Sequence, residues 1–260
     1  MIRALWTAAT GMEAKQVCLD IVANNLANLS TPGFKKARAE FQDLMYQALK
    51  KPGTDTTSGN QLAVGIEVGM GSKLAAIQKF FTQGDYVQTG NKFDWSIEGD
   101  GFFQVDNNGV TMYTRAGNFK MNKDGILVNN EGLKLLPQIS VPQDAVDFTI
   151  DSGGTWTAMD SKGNKLATGR IEIAKFVNPA GLSSVGRNLY EATDGSGAAV
   201  LGNPGDTGYG TISQHYLEQS NVNAVDEMVN MIELQRAYEL NSKAIQAADS
   251  MLSTVSNLKR

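Results

Sequence analysis

NAVDEMVNMIELQRAYELNSKAIQAADSMLSTVSNL, residues 223 to 258, carries an unbroken helical pattern. Met231, Leu234, Tyr238, Asn241, Ile245, Ala248, Leu252 and Val255 recur at alternating steps of three and four, the spacing of a coiled-coil seam. Asn241 is the polar exception. Asn223 is the N-cap candidate, with Asp226 and Glu227 in the first turn, and Lys259 and Arg260 close the end where the macrodipole favours cations. Glu239 and Lys243 add a surface pair four residues apart. At 1.5 Å per residue the helix reaches roughly 50 Å, longer than a small domain is wide. Part of its stripe must find cover outside its own domain.

The opposite end repeats the pattern. Ile2, Leu5, Ala9, Met12, Gln16, Leu19, Ala23 and Leu26 step by three and four, so the first 28 residues read as one helix. A weaker stripe of Trp6, Ala14, Val17 and Ile21 lies off this seam, and such a helix wants more than one apolar neighbour. Gln16 and Asn241 have two readings: they set register, as a buried Asn does in a coiled coil, or they face solvent.

Between the ends the period changes. FFQV at 102 to 105, TMYT at 111 to 114, ILV at 126 to 128 and RIEIAKFV at 170 to 177 are short β-favouring runs. Asp106-Asn107-Asn108-Gly109 and Lys123-Asp124-Gly125 supply residues that tolerate positive φ in tight hairpins. Lys51 to Asn60 and Asp194 to Gly210 have looser, glycine-rich compositions and read as connections to and from this body. The fold class expected is α+β: long N- and C-terminal helices pairing as a coiled coil, with a central antiparallel β-rich domain. The expected division is 1–45 for the N-terminal helix and turn, 46–72 for an extended arm, 73–215 for the β-rich domain and 216–260 for the C-terminal helix.

Bulk properties narrow the function. A net charge of -4 argues against a general nucleic-acid binder, and the basic clusters Lys35-Lys36-Arg38 and Lys50-Lys51 read as solvated loop charges. Cys18 is alone, so no intrachain disulfide or thiolate metal site is expected. No run of 18 apolar residues predicts a membrane span. The apolar run at the start is interrupted by Thr7, Thr10 and Glu13, so no cleaved signal is expected.

Catalytic constellations are thin. His215 is the only histidine, too little for a nucleophile with its base. Glu98 and Asp100 in IEGDGFF would be the pair for a glycan-cleaving enzyme, but alternation with glycine reads as a turn between strands. Gly65, Gly69 and Gly71 lack the ending of a phosphate loop and read as strand-edge turns, and Asp106 to Gly109 lacks the ligand spacing of a calcium loop. No catalytic residue, cofactor or metal is expected.

Three stretches, in order, carry a resemblance: ANNLANLSTPGFKK at 23 to 36, IEGDGFFQV followed by YTRAGNF at 97 to 119, and YLEQSNVNAVDEMVNMIELQRAYELNSKAIQAADSML at 216 to 252. Together they resemble the bacterial flagellar rod and hook proteins. MIRALWTAATGMEAKQ and RAEFQDLMYQALKKPG at 38 to 53 look most like the distal rod members. Trp95-Ser96-Ile97 departs from the family's Leu-Ala-Ile-like strand and changes bulk locally.

The resemblance implies a structural subunit that polymerises helically into a hollow drive shaft, with paired terminal helices as the inner layer. It also implies export through the flagellar type III apparatus, a place in the rod crossing the periplasm, and contacts with proximal rod and hook-side axial proteins and the surrounding P and L rings. Subunit contacts are expected at Leu5, Met12, Leu19, Asn24, Asn25, Leu26 and Asn28 on the first helix and at the seam from Met231 to Val255. For Asn24, Asn25 and Asn28, local capping is the alternative. Tyr46, Gln47, Leu49, Pro52 and Leu62 belong to the arm expected to bridge neighbours and stiffen the shaft. The alternatives are a proximal rod or hook subunit, or a periplasmic cell-wall glycan enzyme.

Overall fold

The computed structural model describes residues 2–50 and 64–258. Two compact units interleave along the chain: Met1–Leu26, Ala37–Gln78 and Asn223–Arg260 form one, Ala27–Lys36 and Lys79–Val222 the other.

The first unit contains helix α1 (Ile2–Ala27), strands β1 (Ala37–Asp43), β2 (Gln47–Lys50), β3 (Ile66–Val68) and β4 (Ser72–Lys79), and helix α2 (Ala224–Leu258). β1 pairs with β4 and β2 with β3, so the segment beyond the first helix enters sheet at once. α1 carries no acidic residue in its first turn and no basic residue in its last, so the macrodipole adds nothing there and packing must hold it. α2 starts as expected: the Asn223 side-chain oxygen accepts from Val225 N–H at 3.0 Å, and its carbonyl from Glu227 N–H.

The second unit is a β body. Its strands are β5 (Tyr86–Gln88), β6 (Trp95–Glu98), β7 (Phe103–Asn107), β8 (Val110–Thr114), β9 (Lys120–Met121), β10 (Leu127–Val128), β11 (Lys134–Leu136) and β12 (Asp147–Ile150). They continue with β13 (Thr155–Met159), β14 (Lys165–Arg170), β15 (Ile173–Lys175), β16 (Ser183–Gly186), β17 (Leu189–Glu191), β18 (Val200–Gly202), β19 (Thr211–Gln214) and β20 (Tyr216–Glu218). Among the described residues the largest sheet runs β16-β17-β8-β7-β11-β10-β9, a second runs β12-β13-β14, and β15-β18, β19-β6 and β20-β5 are pairs. Among the described residues the strand pairs of this body are antiparallel, as the short β runs with tight turns imply. The hairpin from β7 to β8 turns on Asn108 and Gly109, both at positive φ, with Asn107 opposite Val110.

That hairpin separates two buried clusters. Phe103, Val105 and Met112 join Trp95, Ile97 and Phe119 on one side, while Phe102 and Tyr113 join Phe176 and Tyr190 on the other. Both faces being covered explains why Phe102 and Phe103, adjacent in sequence and on opposite faces, are both buried. Trp95, Phe148 and Trp156 stack at centroid spacings of 5.9 and 5.8 Å, and Trp95 Nε1 donates to the Lys92 carbonyl. The local change of bulk at Trp95 thus centres the main core.

Two expectations change here. RIEIAKFV is two strands: β14 ends at Arg170 with β13 as its partner, and β15 pairs with β18, so the chain changes neighbours between them. The glycine-rich segment 194 to 210 holds β18, and a β-carbon on Gly202 would run into the Tyr209 ring. Its glycines permit close packing, which composition cannot distinguish from looseness.

Candidate assembly site

In the first unit the two helices meet at two observed places. Asn25 Nδ2 lies 3.4 Å from Glu227 Oε2, and a β-carbon on Gly11 would sit 3.1 Å from the Asn241 amide nitrogen. Going back 14 residues on α1, from 25 to 11, matches going forward 14 on α2, from 227 to 241, which is antiparallel registry. Glycine at position 11 permits that approach.

The expected seam on α2 is its covered side. Met231, Leu234, Asn241, Ile245 and Leu252 are half-buried, Ala248 is buried, and Tyr238 is 38% exposed. The side chain of Val255 lies outside the described residues, as do Lys259 and Arg260. On α1, Leu5, Met12, Leu19 and Leu26 are half-buried, but Ala9, Gln16 and Ala23 of the same expected seam are exposed, while Val22 and Asn25 are buried. Within the chain Gln16 is exposed and Asn241 half-buried.

The three asparagines separate. Asn25 donates to the Ala37 carbonyl at 2.9 Å and accepts from the Ala37 N–H at 3.0 Å, a two-point clamp on the start of β1 within its own chain. Asn28 lies in the turn that follows, its carbonyl accepting from Thr31 N–H and its side-chain oxygen from Thr31 Oγ1. Asn24 is exposed on α1.

In the second unit, charged residues from all three motif stretches meet in a buried cluster. Lys35, fully buried, donates to Glu218 Oε1 at 2.5 Å and to the Thr82 carbonyl at 2.7 Å. Arg115 lies 3.6 Å from Glu218 Oε2, donates to the carbonyls of Ile97 and Gly99, and sits over the Phe102 ring. Gly33 N–H donates to the Glu218 carbonyl, and with φ at 70° and no room for a β-carbon against Ala116, this position accepts only glycine. Asn221 ties the same corner, accepting from Lys36 N–H and donating to the Phe80 carbonyl. Burial pulls the Lys35 ammonium below the ordinary lysine range, Arg115 adds to the shift, and Glu218 opposes it.

Lys35 was expected to be a solvated loop charge, and its full burial corrects that reading. A run of basic residues in a loop looks solvated when its counterion lies 183 residues away in sequence. Arg38 fits the solvated reading, paired to Glu40 across an exposed 3.7 Å. Lys50 is exposed, and Lys51 lies outside the described residues. The signal for the cluster was present: TPGFKK, YTRAG and YLEQSN each contribute one of its charges.

Family models match in these same places. The flagella basal body rod protein model covers residues 5–35, the D1 domain of the flagellar hook protein FlgE/F/G covers 96–158, and the C-terminal model of the basal body rod FlgEFG proteins covers 213–258. The flagellar basal-body rod protein FlgG of Borreliella burgdorferi is 47% identical over 264 residues, spanning 100% of both chains. The chain belongs to the flagellar basal-body rod protein family. FlgG of Agrobacterium fabrum is also 47% identical, across 99% of this chain and 100% of its own. The hook protein FlgE of Escherichia coli is 24% identical over 415 residues, covering 97% of this chain and 99% of that longer one.

In this rod-family chain, Tyr46 and the β2–β3 pair stand out. Tyr46, Gln47 and Leu49 are exposed, as are Met45, Val64 and Ile66, while Pro52 and Leu62 lie outside the described residues. A two-stranded ribbon is marginal alone, and this one presents large apolar side chains to solvent. The residues weighed for catalysis are dispersed. Asp100 is exposed beside Lys175 at 3.2 Å, and Glu98 is exposed at the end of β6. His215 serves the backbone, at φ 67°, between the end of β19 and the start of β20. Among the described residues no His, Cys, Asp and Glu grouping suits a metal, and no helix is long and apolar enough to cross a membrane.

Proposed function

We propose that this chain is a structural subunit of the flagellar distal rod, polymerising helically into a rigid, hollow drive shaft that carries torque from motor to hook. The observation that carries this reading is a pair of terminal helices, 26 and 35 residues long, with one buried apolar side chain each among the described residues: Val22 and Ala248. Helices covered so little gain most of their burial from neighbours, at roughly 1.5 to 3 kcal/mol per large side chain fully covered. Ordering the helices and adding a subunit are then one event.

In this reading α1 and α2 pair as an antiparallel coiled coil in the inner layer, in the register supported by Asn25 with Glu227 and Gly11 with Asn241. In this reading α1 and α2 make that layer and 46–72 an arm, while 27–36 and 79–222, including β20, belong to the β body. Contacts between unlike patches, repeated in one direction, generate an open helical rod. Proximal rod and hook-side axial proteins cap it, the P and L rings surround it, and the type III apparatus exports the chain unfolded into the periplasmic span. The role is mechanical, not catalytic.

The arm carrying Tyr46, Gln47, Leu49, Pro52 and Leu62 bridges neighbouring subunits and keeps the rod straight, its exposed apolar side chains being covered on assembly. Electron cryomicroscopy of basal bodies from cells making this chain should locate it between the proximal rod and the hook. A subunit found elsewhere sinks the distal assignment. Deleting residues 46 to 62 should give a curved or softer rod by electron microscopy, and equally straight rods overturn the role of the arm.

A further inference from the structure

α2 has a second apolar face, opposite the one that meets α1. Val225, Val229, Ile232, Arg236, Leu240 and Lys243 follow one another at helical spacing on one line, and all are exposed. The four apolar members are 50 to 68% exposed, so half or more of each side chain stands in water. The charges on this line are both basic, Arg236 and Lys243, seven residues or roughly 10 Å apart. Glu233 and Glu239 flank the line without lying on it.

α1 has a matching outer line. Ala9, Glu13, Gln16, Asp20, Ala23 and Ala27 alternate steps of three and four, and each is exposed. Its charges are both acidic, Glu13 and Asp20, again seven residues apart. Lys15 falls on the covered side of the helix. Small side chains on this line leave room for the bulky ones on α2.

We propose that the outer line of α2 docks on the outer line of α1 from a second copy of this chain, a contact distinct from the inner pairing within a chain. The inference rests on the polymer reading and assigns its contact. Copies in a helical polymer share one axial direction, so α1 of one copy runs antiparallel to α2 of the next, as the two helices do within a chain. That direction sets Glu13 against Lys243 and Asp20 against Arg236. The same register sets Ala27 against Val229 and Gln16 against Leu240, and brings Trp6, 60% exposed, beside Met251. A homotypic contact of either line with itself would place like charges face to face.

The test is reciprocal charge exchange in the full chain, read by sedimentation of polymer after assembly in vitro. Glu13→Lys with Asp20→Lys should raise the critical concentration about tenfold or more at low salt, and Arg236→Glu with Lys243→Glu should do the same. Combining all four substitutions should return it to within about threefold of the parent, because the pairs are restored with signs reversed. Near-UV circular dichroism of each variant monitors the β body, so misfolding is separated from lost docking. Normal assembly by either double variant, or no recovery in the fourfold variant while its β body is intact, overturns the proposed contact. Failure of the parent chain to polymerise overturns the polymer reading itself.

Discussion

The two units of this chain manage apolar surface in opposite ways. In the β body, Trp95, Ile97, Phe103, Phe119, Leu127 and Leu135 are fully enclosed, and a buried ion cluster draws its charges from three distant stretches. In the helical unit, Val22 and Ala248 are the only buried apolar side chains among the described residues, while Trp6, Met45, Tyr46, Ile232 and Leu240 are exposed. One unit completes its core alone. The other leaves large apolar side chains exposed on its helices and on its β2–β3 ribbon.

The sharpest way to test the self-sufficiency of the β body is to remove the acid at its buried corner. Glu218→Ala leaves Lys35 and Arg115 as buried cations without their counterion, and should cost about 3 to 5 kcal/mol in denaturant unfolding followed by near-UV circular dichroism. A change near zero would mean that the cluster is solvated in solution and that the body is less closed than described.

The helical unit should respond in assembly and not in the fold of the body. Leu19→Asp or Leu252→Asp places a charge in a stripe that burial must complete, costing about 3 kcal/mol per contact, roughly a hundredfold in critical concentration by sedimentation. The signals of Trp95 and Trp156 should be unchanged. Normal polymer from either variant would count against the paired-helix mechanism.

A smaller effect is expected where the helical unit is satisfied within the chain. Asn25→Ala removes both hydrogen bonds to Ala37, costing about 1 to 2 kcal/mol, and faster amide exchange at Ala37 should report it. Unchanged exchange would place the anchor of β1 elsewhere.

The smallest effect is a matter of pH. Burial, with Glu218 and Glu98 nearby, pushes the Tyr86 hydroxyl up to about 12 from an ordinary 10.0. A raised folded value contributes stability that is complete below pH 10 and lost as pH rises toward 12, where the unfolded chain ionises first. Tyr86→Phe should flatten that alkaline decline of the β body in pH-dependent unfolding, and an unaltered slope would assign it to another group.

Much of this architecture is legible in residue order. The Met231 to Leu252 stripe marks the covered side of α2, and Asn108-Gly109 marks a two-residue hairpin, because both patterns repeat over a few residues and depend on local geometry. The α1 seam was legible only in part. Leu5, Met12 and Leu19 turn inward, whereas Ala9 and Gln16 turn out, since a helix with apolar residues on several sides leaves its rotation to its neighbours. The buried corner was not legible as a corner. Lys35, Arg115 and Glu218 each look like surface charges until the strands that carry them are brought together.

By itself the sequence determined the two terminal helices, the antiparallel middle, and, through three ordered motifs, the family. Each of these is written in local periodicity or in an uninterrupted string. Only the tertiary structure decided which side of α1 is covered, that Asn25 clamps Ala37, and that Lys35 is sealed against Glu218. Those facts depend on residues far apart in the chain, and burial is a property of what surrounds a side chain, which no short stretch of sequence contains.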